Sequence, residues 1–232
     1  MKLLIIAGLA VAVTAWPQDP KAKGSGGSGG SPRIVSTELI DGTCKPITFI
    51  WARASTEAGN MGGSVGPIVC EGLKKDYPDK VACQGVGQPY TAGLLDNVGA
   101  LGTTQAAVGE ATKMFTTAHS KCPATKIVFG GYSQGTAVIM NAVKGLSADV
   151  RKQVVAGVFY GYTKNAQLKG MIPGYPKEDL LVFCMETSPG KYEDGVCGGQ
   201  LNVNAGHMAY RSRGDGPKGV TFLKGKLDAA GV

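Results

Sequence analysis

Ser133 stands in the pentapeptide Gly131-Tyr132-Ser133-Gln134-Gly135, between the apolar run Ile127-Val128-Phe129 and the helix-like run Thr136 to Met140. In the order strand, sharp turn, helix, a G-x-S-x-G segment lifts a serine hydroxyl above a sheet edge. Glycines two residues before and two after leave room for strand and helix to cross closely. The first N–H groups of the helix then point to where an oxyanion would form. The chemistry this predicts is attack by Ser133 on an acyl carbon. The pentapeptide alone would also suit an ordinary Gly-rich loop in a chain with 36 glycines, so the partners of the serine carry the argument.

A serine hydroxyl is a weak nucleophile and needs a base. The chain holds two histidines, His119 and His207. His119 precedes the strand that delivers Ser133, which puts it near the far end of that strand, roughly 20 Å away at about 3.3 Å per residue. It reads as a structural helix end near Cys122. His207 follows the last strand and is the base by elimination. A third group must orient the imidazole and stabilise its cation. Where the chain order is serine, acid, histidine, the acids available are Asp149, Glu178, Asp179, Glu186, Glu193 and Asp194. The first three fall at the wrong ends of strands. Glu186, Glu193 and Asp194 follow a strand on the Ser133 edge. Asp194 is best fixed, beside Cys197, with Glu193 its adjacent rival. Two donors are needed for an oxyanion. One is the N–H of Gln134, and the other should come from the loop after the first core strand, where Ser55 offers an N–H and a hydroxyl.

The elements that must position these groups follow from periodicity. Pro46–Ala52, Lys80–Val86, the run from Lys126, Gln153–Tyr160 and Asp179–Cys184 read as five short apolar strands. Pro67–Lys75, Thr103–Ser120, the segment after Ser133, Val203–Ser212 and Lys218–Ala230 read as helices. In Thr103–Ser120, either threonine could cap, and Ala107, Ala111, Met114, Phe115 and Ala118 share one face. Gly87–Gly102 is turn-rich and Gly161–Pro176 mostly loop. Strands alternating with helices predict an α/β fold, a parallel sheet covered on both faces, with its site at the carboxyl ends of the strands.

Around this domain, residues 1–15 read as a signal peptide: Lys2, an apolar run Leu3 to Val13, and Val13-Thr14-Ala15 as the cleavage site. Residues 16–33, Gly/Ser-rich at the centre, read as a flexible leader or a pro-segment. Residues 34–232 are expected to form one catalytic domain. The run is too short to span a bilayer. A net charge of +7 with scattered lysines lacks the basic, aromatic-interleaved stripe of a nucleic-acid binder. Six cysteines (44, 70, 83, 122, 184 and 197) behind a signal peptide argue for disulfides. Cys70 with Cys83 and Cys184 with Cys197 are close enough for local loops, leaving Cys44 and Cys122, although spacing does not settle the pairing. With two histidines and no CxxC, no metal site is expected.

The segments Trp51 to Asn60, Gln84 to Gly87, Asp96-Asn97, Gly130 to Gly135, Asp194 to Cys197 and His207 to Tyr210 together resemble those of fungal cutinases, over about residues 40–215. The resemblance implies a compact α/β-hydrolase: a three-layer sandwich around a mostly parallel five-stranded sheet, with no large lid. It implies Ser133 as nucleophile, Asp194 as acid, His207 as base, and Ser55 and Gln134 as oxyanion donors with Asn97 bracing Ser55. Cys44–Cys122 and Cys184–Cys197 match the family's two usual bridges, and Cys70–Cys83 is additional. Ala54 stands where many relatives have glycine, and Ser188 to Tyr192 looks inserted. Leu94 and Leu95 on one loop, and Leu201, Val203 and Met208 flanking His207, would form an apolar rim for acyl chains. The expected protein is a secreted, monomeric serine esterase of cutin and small esters, needing no cofactor. An acetylxylan esterase, or a catalytically idle surface-binding or elicitor protein on the same scaffold, are the alternatives.

Overall fold

The computed structural model describes residues 33–232; the expected signal peptide and all of the expected leader but Arg33 lie outside the described residues. Five parallel strands form the central sheet: β1 (Ile47–Ala52), β2 (Val81–Gly85), β3 (Lys126–Tyr132), β4 (Val154–Tyr160) and β5 (Leu180–Phe183), in the order β2-β1-β3-β4-β5. Their side chains alternate between two separate cores. Ile50, Ala52, Ile127, Phe129 and Phe159 face one side, and Ile47, Phe49, Trp51, Val128, Val158 and Tyr160 the other. Every residue of β1 is buried, as a central strand covered on both faces requires.

A short helix α1 (Glu38–Asp41) precedes β1, and four longer helices cover the sheet. Helices α3 (Gln105–Lys121) and α4 (Gln134–Lys144) pack over the first core, α2 (Gly66–Asp76) and α8 (Asp215–Ala229) over the second. Thr104 caps α3 by accepting a hydrogen bond from the Ala107 N–H at 3.1 Å. The apolar face expected on that helix is the one it buries. The four turns α5 (Ala148–Arg151), α6 (Asn165–Leu168), α7 (Ala205–Met208) and the 3₁₀ segment Leu94–Val98 are set in the connections.

Two expectations are corrected. Val203–Ser212 is not one helix but the single turn α7 followed by non-helical turns. Asn204 is the reason. Its side chain accepts from the His207 N–H at 3.0 Å and donates to the Glu193 carbonyl at 2.8 Å, tying the segment to a neighbouring loop. The final helix begins at Asp215, earlier than Lys218, after Gly214 turns the chain at φ +70°. The residues that looked inserted form a hairpin, β6 (Glu186–Ser188) with β7 (Lys191–Tyr192), closed at its base by Glu193 N–H donating to the Met185 carbonyl at 3.0 Å. Bridges Cys44–Cys122, Cys70–Cys83 and Cys184–Cys197 are formed.

Candidate active site

The parallel register brings the carboxyl ends of β1, β3 and β4 level: Ala52 lies beside Gly131, and Tyr132 beside Tyr160. The chain leaves β1 toward β2 and returns on the other side as β3, so a crevice opens between their ends. Ser133 sits there with φ +53° and ψ −123°, a conformation that costs of order 1–3 kcal/mol and persists only where its surroundings enforce it. They do. Ser133 N–H donates to the Tyr160 carbonyl at 2.9 Å, and the Ser133 carbonyl accepts from Thr136 N–H at 2.9 Å and Thr136 Oγ1 at 2.6 Å. The elbow leaves no space for side chains at its glycines. A Cβ on Gly135 would lie 2.0 Å from the Ala52 carbonyl oxygen, and one on Gly131 would lie 2.7 Å from the Gly135 backbone.

Ser133 Oγ is 2.9 Å from His207 Nε2, and His207 Nδ1 is 2.9 and 3.0 Å from the two carboxylate oxygens of Asp194. All three side chains are buried, Ser133 retaining 8 % exposure. An ionised Asp194 only accepts, so Nδ1 carries the proton and Nε2 is free to accept from the serine hydroxyl. Burial alone would push the Asp194 carboxyl up. Hydrogen bonds from His207, Tyr210 and the Val196 N–H, with the charge of His207, outweigh it and hold the carboxyl below the usual carboxylate range. Gly161 closes one side of this pair: at φ +59°, its missing Cβ would fall 2.5 Å from His207 Cε1 and 2.9 Å from Asp194 Oδ2. His119 lies elsewhere, its Nδ1 2.5 Å from Gln153 Oε1, in the structural role expected of it.

Among the described residues, the N–H groups of Ser55 and Gln134 have no protein acceptor. Gln134 is the first residue of α4, where helix geometry leaves the N–H free. Asn97 Nδ2 donates to Ser55 Oγ at 2.9 Å and to the Leu94 carbonyl at 2.8 Å, so the Ser55 hydroxyl proton remains available to a third group. Glu57 shapes the loop that carries Ser55. One carboxylate oxygen accepts from Ala54 N–H at 2.9 Å; the other accepts from Gly63 N–H, Ser64 N–H and Ser64 Oγ at 3.1, 3.0 and 2.6 Å. Buried Arg53 crosses to the Tyr90 and Thr91 carbonyls, and Gln134 Nε2 to the Gly93 carbonyl. These bonds bind the loops after β1 and β2 to the elbow.

Leu94, Leu95 and Val98 project from the 3₁₀ turn, Leu95 with 84 % exposure; Leu201, Val203 and Met208 are exposed beside His207. Leu95 and Leu201 are therefore surface residues, not core. Glu57 and Tyr210 are supporting residues to which the sequence assigned no role. The second lies three residues after His207 and donates to Asp194 Oδ2 at 2.5 Å; the hydrogen-bonding tip on an otherwise apolar ring was its one sequence signal.

The Cutinase family model matches residues 43–227. The chain belongs to the cutinase family. It is a carboxylic ester hydrolase with that family's fold. The probable cutinase 3 of Neosartorya fischeri is 44% identical over 228 residues, 98% of each chain. Among solved structures, a Trichoderma reesei cutinase bound to a phosphonate inhibitor superposes with TM-score 0.70 at 24% identity, over 84% of this chain and 81% of that one. An acetylxylan esterase superposes with TM-score 0.61 at 22% identity, over 80% of this chain and all (100%) of that one. At such identities the two likenesses speak for the shared fold.

Proposed function

We propose that this cutinase-family chain is a secreted, monomeric serine esterase that hydrolyses ester bonds of cutin and of short- to medium-chain esters. The observation that carries the reading is the continuous chain of hydrogen-bond distances from Ser133 through His207 to Asp194. Ser133 Oγ attacks the ester carbonyl carbon as His207 Nε2 takes the hydroxyl proton. Asp194 holds the imidazole and stabilises its cation. The carbonyl oxygen, now negative, is held by the N–H groups of Ser55 and Gln134 and by the Ser55 hydroxyl that Asn97 orients. The carbon–oxygen bond to the alcohol breaks, His207 returns its proton to the leaving alcohol, and an acyl-Ser133 remains. Water then gives a proton to His207 and attacks the acyl carbon; the acid departs and Ser133 regains its proton.

The exposed leucines and Val98 of the Leu94–Val98 turn, with exposed Leu201, Val203 and Met208 around His207 in the sequence, suit acyl chains and an insoluble polyester surface. Three disulfides fit an oxidising, extracellular setting, as does the leader in the sequence. Among the described residues, no helix is long and apolar enough to cross a membrane.

The test is a p-nitrophenyl ester series, acetyl to palmitoyl, with release of hydroxy acids from purified cutin. Rates peaking at short to medium chains, with hydroxy acids released, are expected. Activity confined to acetyl esters and acetylated xylan would instead indicate the carbohydrate esterase.

A further inference from the structure

The catalytic trio leaves one buried polar group beside it without a role. Tyr210 is 1 % exposed, and its ring meets Tyr132, Tyr160 and His207 edge-on, at centroid distances of 5.8, 5.9 and 6.4 Å. Its backbone carbonyl accepts from Asp215 N–H at 3.1 Å, anchoring it to the start of α8. With the ring fixed on three sides, the hydroxyl has one direction to point. It meets Asp194 Oδ2 at 2.5 Å, while Val196 N–H meets Oδ1 at 2.8 Å and His207 Nδ1 lies between the two oxygens. Each carboxylate oxygen thus has a second donor besides the imidazole.

We propose that the Tyr210 hydroxyl is a positioning group for this esterase reaction: it pins the Asp194 carboxylate against His207 and limits how strongly that carboxylate favours the imidazolium. This rests on the roles proposed above for Ser133, His207 and Asp194. A carboxylate with one oxygen held only by the imidazole can turn about its own bond, whereas one held at both oxygens cannot. Because the hydroxyl donates to Oδ2, one of the two oxygens that face Nδ1, it withdraws negative charge from the carboxylate. Without the hydroxyl the carboxylate would favour protonated His207 more, and the base would be lost at higher pH.

Other groups facing the trio are already engaged. From β3, the Tyr132 hydroxyl donates to the His207 carbonyl at 2.7 Å; from β4, the Tyr160 hydroxyl donates to the Asp215 carbonyl at 3.3 Å. The Asp215 carboxylate at the start of α8 is paired with Lys218 and Arg213, and Glu57 is held by its own loop. The Cys184–Cys197 bridge brings Cys197 Sγ to 3.6 Å from Asp194 Oδ2, without a proton to give. Tyr210 is therefore the side chain, other than His207, that can tune this acid.

The experiment is the pH dependence of kcat/KM on p-nitrophenyl butyrate, per active site titrated with an organophosphate. Wild type, Tyr210→Phe and a protein with 3,5-difluorotyrosine at position 210 are compared. Tyr210→Phe should move the acid limb up by about half a pH unit or more, and lower kcat/KM roughly tenfold, with KM nearly unchanged. Difluorotyrosine, a stronger donor, should move the limb the opposite way. A merely structural tyrosine would lower the number of titratable sites and leave both limbs where wild type has them, and that result overturns the proposal. Should the phenylalanine protein fail to fold, the direction of the difluorotyrosine shift decides. If the wild type takes up no organophosphate at Ser133, the nucleophile assignment fails; labelled sites with unmoved limbs sink the Tyr210 role alone.

Discussion

Each member of the Ser133–His207–Asp194 trio is fixed by something other than its two partners. Ser133 is held by backbone bonds to Tyr160 and Thr136, His207 by the Asn204 cap and the Tyr132 hydroxyl, Asp194 by Val196 and Tyr210. The Asp194 carboxyl is held below its ordinary value in the fold, so it binds protons less readily there than in the unfolded chain. Its contribution to stability is present above the unfolded value, about 3.9, and is lost as pH falls through the lower folded value. Asp194→Asn should therefore flatten the fall of melting temperature below about pH 4, while lowering kcat by about 10⁴-fold at neutral pH. Melting curves that fall with pH as steeply as wild type's would contradict the assigned charge state. Much at this scale was legible in the sequence. Two histidines and a strand-turn-helix motif restricted the choices, and position relative to the strand ends removed four other candidates, His119, Asp149, Glu178 and Asp179. Glu193 and Asp194, adjacent in sequence, were separable only by resemblance. In the fold, Asp194 lies 2.9 Å from His207, while the Glu193 backbone carbonyl accepts from Asn204.

Among the elements, the loop after β1 gathers several of its bonds on one carboxylate, that of Glu57. Glu57 receives four donors from Ala54, Gly63 and Ser64, and Ser55 lies between them in sequence. Glu57→Ala should loosen the loop and cost kcat/KM about 10²-fold, since a misplacement of about 1 Å has that effect, with the number of organophosphate-titratable sites kept. Unchanged kcat/KM would show that the loop holds its shape without the carboxylate. Strands and long helices were readable because periodicity survives in them: β1 is apolar throughout, and α3 has its face at helical spacing. The segment around His207 was not. Its Val203 and Tyr210, seven residues apart, imitate a helix face, but Asn204 and Gly206 pack on the Glu193 backbone, a long-range contact that no local pattern encodes.

For the molecule as a whole, four tyrosines, Tyr90, Tyr160, Tyr162 and Tyr210, are among the largest fully buried side chains. Burial pushes the phenols of Tyr90, Tyr132, Tyr160, Tyr162, Tyr175 and Tyr210 up, helped at Tyr210 by the Asp194 charge. A raised value in the fold means stability fully present below the unfolded tyrosine value, about 10, and lost as pH rises above it. The protein should unfold cooperatively on raising pH beyond about 10, with phenolate absorbance appearing together with loss of circular dichroism. Phenolate appearing gradually, in a protein that stays folded, would mean that these rings are more open than the structure has them. The two cores below and above the sheet follow from the alternation in β1 and β3, and were foreseeable. That the segments carrying Asp194 and His207 come to Ser133 depends on the strand order, which the sequence does not state.

The most direct measurement is mass spectrometry of the protein after treatment with diethyl p-nitrophenyl phosphate, alongside release of p-nitrophenol from its butyrate ester. The account predicts one diethylphosphoryl group per molecule, on Ser133, with esterase activity lost in parallel. Ser133→Ala should take up none and retain no more than about 10⁻⁴ of the wild-type rate. Full activity in Ser133→Ala, or a label on another residue that tracks the loss, would place the chemistry elsewhere and contradict the account.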